Sequence, residues 1–579
     1  MLGATTLGHD LRMTTSLRPN PVLVSSQAVR RMPTLALWLL IAAYLVPGIV
    51  GRDPWRGADF AAFGQMLAIA EGRSPWTLPS LGGVPTGAAL LPNWLGAIGI
   101  ALGTPWLDPA LAARLPFAAL LALTLCAVWY ASFHLAQRDA AQPLPFAFGG
   151  EAEPQGYARA IADGALLATI ATLGLLQLGH ETTPELAQLA ALASVQWAVA
   201  AGARRRWGGR LGVFVGLPAL AASGAPVMAL AWGLGALALC LRAQAGSWRA
   251  LAPWLAAACA LAALVAWPAQ AWAWRLSAPT EIWPVLRMWL WFLWPAGVLA
   301  LWTLWGWRGH LLQPHLALPL LGLVLALVIS TAMGGSDRAL LLGLPGVSVL
   351  AAFALPTLRR SASSAVDWFS VFFFTACAII TWVFYAAMQT GVPATSAATL
   401  KRLAPDFVAR LSWLELLAAS LGSVAWLWLV RWRTRRRQEV IWKSLVLPAG
   451  GVALCWLLFM TLWLPLLDHA RSNRPLAQRL SRHLPAGACV AAPLAPSALV
   501  AALEYHNHVQ VDARADAFAS TCPVLLVVQR NATPSEATLR AERSGWVEVA
   551  RERRPTDRQE LTLVFVRSGL GKLKPALGS

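Results

Sequence analysis

From Thr34 to Leu466 the chain is a nearly unbroken series of apolar segments joined by short charged links, and from Asp468 to Ser579 it turns charged and alternating. A soluble body cannot be built on the first part. Hydrophobic residues make up 57% of the 579 residues and charged residues only 13%, with a mean hydropathy of +0.56, which leaves too little polar surface to cover a water-soluble core of that size. A membrane-crossing helix needs roughly 20 apolar residues, and the segments between the links have that scale. The sequence therefore predicts a polytopic α-helical membrane protein with one small C-terminal α/β domain.

A net charge of +19 is a common mark of nucleic-acid binding, but the arginines lie in links between apolar segments, where they report topology. No nucleic-acid role is expected. Arg30 and Arg31 precede the first apolar run, Thr34 to Val50, and no small-residue cleavage site marks a signal peptide. The N-terminal tail, residues 1–33, is expected in the cytoplasm. Further basic links carry Arg204, Arg205, Arg206 and Arg210, then Arg242 and Arg249, Arg308, Arg359 and Arg360, and the run Arg431, Arg433, Arg435, Arg436 and Arg437.

Between them lie links that mix acids, prolines and aromatics: a first loop of about residues 51–109, then Gly179 to Pro184, Leu276 to Arg287, Gly334 to Arg338 and Gln389 to Arg410. The alternation puts these on the external side. Pro85 to Leu102 is apolar enough to cross but holds Pro85, Pro92 and several glycines, and a crossing there would turn every later arginine cluster outward. Read as an interfacial helix, it leaves about 13 crossings in a membrane domain of residues 34–467. The soluble domain, 468–579, then lies in the periplasm.

That domain reads as a helix at Ala477 to His483, strands at Cys489 to Ala492, Val509 to Asp512, Val524 to Gln529 and Glu560 to Arg567, and a helix at Leu499 to Tyr505. Cys489 and Cys522, each beside a strand, are either a disulfide or two free thiols. Cys126, Cys240, Cys259, Cys377 and Cys455 fall in apolar segments and read as packing residues. The chain shows no phosphate-binding glycine loop, no metal-spaced His/Cys cluster and no internal repeat, so no metal or cofactor is implied.

Chemistry must come from the few ionisable groups on the external face. The first loop carries Arg52-Asp53-Pro54-Trp55-Arg56-Gly57-Ala58-Asp59, a helix at Ala61 to Ala70, and Gly72-Arg73-Ser74-Pro75-Trp76. A carboxylate at the membrane surface beside arginines can accept a proton from a hydroxyl while a cation neutralises an anionic leaving group. Asp53 and Asp59 can equally be loop acids, with Asp59 capping the helix. Gly179-His180-Glu181-Thr182-Thr183-Pro184-Glu185 brings a second acid group to the same face, where helix initiation accounts for Glu185 better than for His180 or Glu181. Arg338, in Gly334-Gly335-Ser336-Asp337-Arg338, can bind a phosphate or anchor the next helix at the interface.

The stretch RDPWRGADFAAFGQMLAIAEGRSPWTLPSLGGVPTGAALLPNWLGAIGIALG resembles the first external loop of the GT-C superfamily, especially glycosyltransferase family 39 and the bacterial lipid A aminoarabinose transferases. Asp59 matches the first acid of the family's pair, Gly72 to Pro79 its Gly-Trp-Pro stretch, and Leu90 to Trp94 part of the segment before its interfacial helix. The likeness continues through Arg114-Leu115-Pro116, Glu181, Ala222 to Pro226 and Gly334 to Pro345.

The resemblance implies transfer of a sugar from a polyprenyl-phosphate donor to a lipid, glycan or protein acceptor at the periplasmic face of the bacterial inner membrane. It implies Asp59 as base, Glu181 as a second acidic contact and Arg338 on the donor phosphate; Arg56 and Arg73 are the rivals of Arg338 for that phosphate, and His180 is a further candidate substrate contact. Phe60 stands where the family has its second acid, and Pro85-Thr86-Gly87 and Ser223 stand where it has lysines. A transporter-like protein or a non-catalytic member of cell-envelope biogenesis are the alternatives; a transporter would place its ionisable groups near the bilayer midplane.

Overall fold

The computed structural model describes residues 21–567, apart from 88, 244–247, 268–271, 273–275, 278–280, 436–439, 486, 488, 531–534 and 558. Arg436 and Arg437, part of the tail 1–33 and part of the expected Leu276 to Arg287 link lie outside the described residues. Among the described residues, 7 helices are long and apolar enough to cross a membrane, or 8 if the bent pair Ile282–Phe292 and Ala296–Gly306 counts as one passage. That pair turns through 96° at its break, where Pro295 has no N–H to continue the ladder.

The expectation of about 13 crossings is not reached by length and composition. The reason is visible in the shorter or more polar helices of the bundle: Thr34–Leu45 and Pro226–Arg242 are short, and Pro154–Ala171 and Pro184–Ala201 carry Asp163, Gln188 and Gln196 among small residues. Those small residues let helices close in, as at Gly164, where a side chain would collide with Leu355. Pro154–Ala171 and Leu344–Ala354 are buried almost throughout and form the centre. Trp413–Arg435 presents Leu414, Leu417, Leu421 and Trp428 outward, an apolar surface suited to lipid.

The first loop folds as a helix, Ala58–Ala70, a two-stranded hairpin, β1 (Ser80–Leu81) and β2 (Val84–Pro85), and a second helix, Leu90–Gly103. The first helix begins three residues before the Ala61 start expected from sequence, because Gly57, at φ +89°, turns the chain as few other residues can. The second helix has 14 residues, short of the roughly 20 that a crossing needs.

Beyond the Leu464–Arg471 helix, the C-terminal domain carries helices Arg474–Leu480, Ser497–Asn507 and Glu536–Arg543 around a sheet. Its strands are β3 (Cys489–Ala491), β4 (Gln510–Asp512), β5 (Val524–Arg530), β6 (Trp546–Glu552) and β7 (Glu560–Arg567), in the order β4-β3-β5-β7-β6. β3 runs parallel to β4 and β5, while β7 is antiparallel to β5 and β6. The parallel β3–β4 pair requires the crossover that Ser497–Asn507 supplies. Cys489 and Cys522 are joined as a disulfide, with Cα atoms 5.1 Å apart.

The domain sits against the first loop. Phe63 meets the Tyr505 ring edge-on at 5.0 Å, Gly64 lies against Ala501 with no room for a side chain, and Ala513 N donates to Gly82 O at 2.8 Å.

Candidate active site

Asp59 sits in the first turn of the Ala58–Ala70 helix and is 1% exposed. Four donors converge on it. Oδ2 accepts from Arg52 Nη2 at 3.2 Å and Trp55 N at 3.1 Å, and Oδ1 accepts from Thr182 N at 2.8 Å and Thr182 Oγ1 at 2.9 Å. Every lone-pair direction of the carboxylate is thereby used. Burial pushes its pKa up, but the charges of Arg52 and Arg114 and the N–H groups of Thr182 and Trp55 outweigh that and hold it below the usual carboxylate value.

Arg52 also donates to His180 O at 2.7 Å and lies 4.7 Å from the Trp55 ring centre. Arg114 donates to the carbonyls of Ile49 and Arg52. The Asp59 group thus ties the first loop to the turn before Pro184 and to the Pro109–Ala136 helix.

His180 is committed to backbone. Its Nδ1 meets Leu176 O at 2.8 Å and its Nε2 meets Tyr44 O at 2.9 Å. Burial holds its pKa at about 4 against the help of those two carbonyls, so the ring is neutral at pH 7. The neutral ring carries one N–H, which donates to one of these two carbonyls, and both nitrogens face backbone.

Glu181, one residue on, is different in kind. Oε1 accepts from Gln177 Nε2 at 2.8 Å and Oε2 from Arg338 Nη2 at 2.7 Å, so each oxygen keeps one direction open. Burial raises its pKa, the neighbouring Asp59 charge raises it further, and Arg338 and Gln177 oppose them without prevailing. Arg338 also reaches Glu185 at 3.4 Å. Its single charge is therefore met by two carboxylates, and a phosphate bound there would have to displace one of them.

Sequence reasoning missed Arg471. It ends the Leu464–Arg471 helix, donates to Gln177 Oε1 at 2.6 Å and lies 4.9 Å from the Trp55 ring centre. Gln177 bridges it to Glu181, and the two charges interact. It is exposed, and a neutral amide, rather than a carboxylate, is its hydrogen-bond partner. Nearby, Trp55 Nε1 donates to Asp468 Oδ1 at 2.8 Å, and burial raises the Asp468 pKa to about 7 despite that bond.

The structure brings Asp59, His180, Glu181 and Arg338 together and directs the side chains of Arg56 and Arg73 elsewhere. Arg56 pairs with Asp557 at 3.1 Å, and Arg73 pairs with Glu71 at 2.7 Å and with Glu504. Phe60, in place of a second acid, is buried against Phe63, Tyr505 and His506. Beside the cluster lies a narrow space of about 10 Å³ among Ile49, Arg114, Phe117, Leu121 and His180. A wider cavity of about 420 Å³ lies between Gly82, Gly83 and the soluble sheet and includes none of the expected site residues. Among the described residues, no group of three or more His, Cys, Asp or Glu is placed to hold a metal ion.

No family model matches the chain, and no curated protein matches it in sequence. Solved structures do match. ArnT from Cupriavidus metallidurans bound to undecaprenyl phosphate is 14% identical with a TM-score of 0.57, over 92% of this chain and 97% of that one. The same protein in the apo state is 13% identical with a TM-score of 0.59, over 92% of this chain and 98% of that one. The chain is therefore a multi-pass membrane protein with the ArnT fold, the GT-C architecture that its first external loop resembles.

Proposed function

We propose that this chain transfers a sugar from a polyprenyl-phosphate donor to an acceptor hydroxyl at the periplasmic face of the inner membrane. The observation that carries the reading is Glu181: a buried, half-satisfied carboxylate of raised pKa, joined through Gln177 to the exposed Arg471, in a fold shared with a protein that binds undecaprenyl phosphate. In one displacement the acceptor oxygen bonds to the anomeric carbon while the bond from that carbon to the phosphate oxygen breaks. The electron pair leaves with the polyprenyl phosphate, and Glu181 takes the acceptor's proton. Arg471 offers the departing phosphate a guanidinium that no carboxylate pairs among the described residues, and Arg338 orients Glu181. Asp59 holds the loop that presents Glu181, and this role replaces the base role that the resemblance implies for it.

A non-catalytic membrane protein is the second reading, favoured by the neutralised Arg338 and the narrow space at the cluster. The test is the purified chain in lipid nanodiscs with polyprenyl-phosphate sugars extracted from the host membrane. Release of free polyprenyl phosphate, lost in Glu181→Gln, is the expected result. No release and no binding of undecaprenyl phosphate would reject the enzyme. Reporter fusions should place the N-terminus in the cytoplasm and residue 567 outside it.

A further inference from the structure

The far end of the bundle carries buried donors that the proposed transfer does not use. The Pro109–Ala136 helix leaves the Asp59 side at Asp108 and runs for 28 residues, so at 1.5 Å per residue its other end is roughly 40 Å away. His134 lies on its last turn and Arg138 just beyond. The Arg138 guanidinium lies 4.0 Å from the centre of the Trp248 ring. Among the described residues its Nη2 is buried without a hydrogen-bond partner, as are Trp248 Nε1 and His134 Nδ1. Trp248 is 4% exposed and His134 8%.

Arg204 and Arg205 are exposed, and their charges, with that of Arg138, bear on His134. Arg204 also donates to Gln137 O at 3.3 Å. Asp139, the carboxylate that acts on Arg138, is exposed. The balance is three guanidinium groups to one carboxylate around a buried N–H pair.

We propose that this cluster binds a phosphate group, that of an anionic phospholipid in the membrane leaflet opposite the transfer site. A buried donor without an acceptor is costly, and more so when it is charged. The acceptor that suits this set must be anionic, must serve a planar guanidinium fork and an indole N–H at once, and must be at hand where a span ends. A phosphate offers several oxygens around a tetrahedron and pairs with arginine in a two-bond fork. A carboxylate has two oxygens, and the fork occupies both. The cluster lies at a helix end with exposed arginines and the exposed Trp207 beside it, and basic pockets between membrane helices are where anionic headgroups dock.

The same phosphate chemistry can come from a lipid or from free phosphate, so the assay has both arms. The full chain, purified in neutral detergent, is titrated with short-chain phosphatidylglycerol or with inorganic phosphate, reading bound adducts by native mass spectrometry and the unfolding temperature. Saturable binding of phosphatidylglycerol, absent in Arg138→Ala, supports the lipid site, and the same pattern with inorganic phosphate alone would keep the phosphate site but refute the lipid as its source. Trp248→Phe keeps an aromatic face for Arg138 and removes the N–H together with part of the indole, so it should weaken binding about tenfold even if Arg138→Ala fails to fold. Binding that is absent in the unaltered chain, or unchanged in Trp248→Phe and in a folded Arg138→Ala, would overturn the proposal. None of these outcomes depends on whether Glu181 transfers a sugar.

Discussion

Replacing Asp59 with asparagine separates the two roles a buried carboxylate can have here. The asparagine Oδ1 can keep both donors of Thr182, but its Nδ2 then points at Trp55 N and Arg52 Nη2, donors facing donors. Arg52, with a fully buried side chain, is left as an uncompensated charge, and breaking a buried pair in this way costs roughly 3–5 kcal/mol. Two groups soften the loss, since Arg52 keeps His180 O and the Trp55 face, so the lower end of about 3 kcal/mol is expected. Asp59→Asn should therefore unfold at a clearly lower temperature in detergent, followed by tryptophan fluorescence. Adding Arg52→Met removes the orphaned charge and should recover part of the loss, as apolar replacements of buried pairs do.

Glu181→Gln is the counterpart. The new amide NH2 faces one donor, Gln177 or Arg338, but Arg338 keeps Glu185 and is partly exposed, so folding should change less than in Asp59→Asn while transfer falls by roughly 10²-fold or more. If instead Asp59→Asn kept the wild-type unfolding temperature and lost transfer, with Glu181→Gln active, Asp59 would be the base and the division of roles argued here would be refuted.

The carboxylate form of Glu181 is the working one, so the transfer rate should be full above its raised pKa and fall as pH drops through it, with a midpoint above the 4.5 of an ordinary glutamate; Asp468→Asn should leave that limb in place if Glu181 is its source. Arg471→Ala should raise the KM for the polyprenyl-phosphate donor more than Arg471→Lys, which keeps the charge and loses the fork; equal KM values in all three proteins would remove Arg471 from the phosphate site. Opening the Cys489–Cys522 bridge, which spans 33 residues, should destabilise the soluble domain by roughly 4 kcal/mol on a loop-entropy basis, measured as earlier proteolysis of Cys489→Ser than of the unaltered chain.

How the sequence foretold some of this and not the rest has physical causes. One passage of apolar residues separates the Asp59 side from the basic links and a second returns, so Asp59 and Glu181 could be placed on the same face without a structure. Strand β7 was read at its observed limits, Glu560 to Arg567, because a half-buried apolar run declares itself. Strand β6 escaped, since Trp546 to Glu552 is an edge strand that turns Val547 and Val549 outward and half-buries Glu548 and Glu552, the reverse of the apolar-in, polar-out alternation that marks a strand, and the Glu536–Arg543 helix beside it buries little beyond Thr538 and Ala541. Arg52 and Arg114 were legible as cations but not as partners of one carboxylate, because the second comes from a helix 62 residues further on. Arg471 was hidden by the domain boundary itself, since a reading that assigns everything after residue 467 to a separate body does not look there for a residue of the membrane site.

That boundary is a boundary of composition rather than of contact. Arg56 and Arg73 looked like substrate ligands because unpaired cations in an external loop invite an anion, yet the tail supplies Asp557 for one and Glu504 for the other. In the opposite sense the loop's Asp53 holds the tail's Arg474 at 2.7 Å, and its Asp108 accepts from Tyr505 at 3.0 Å. Exposed pairs of this kind contribute about 0–1 kcal/mol each, too little to seat a domain. The seating comes from Phe60 and Phe63 on Tyr505 and from the close approach of Gly64 to Ala501, where apolar surface is buried with no slack. The ion pairs then fix the orientation of a contact that packing has already made. Since Asp59 stands one residue before Phe60 on the same helix, the soluble domain braces the helix that holds Asp59, and through Thr182 it braces the turn that carries Glu181.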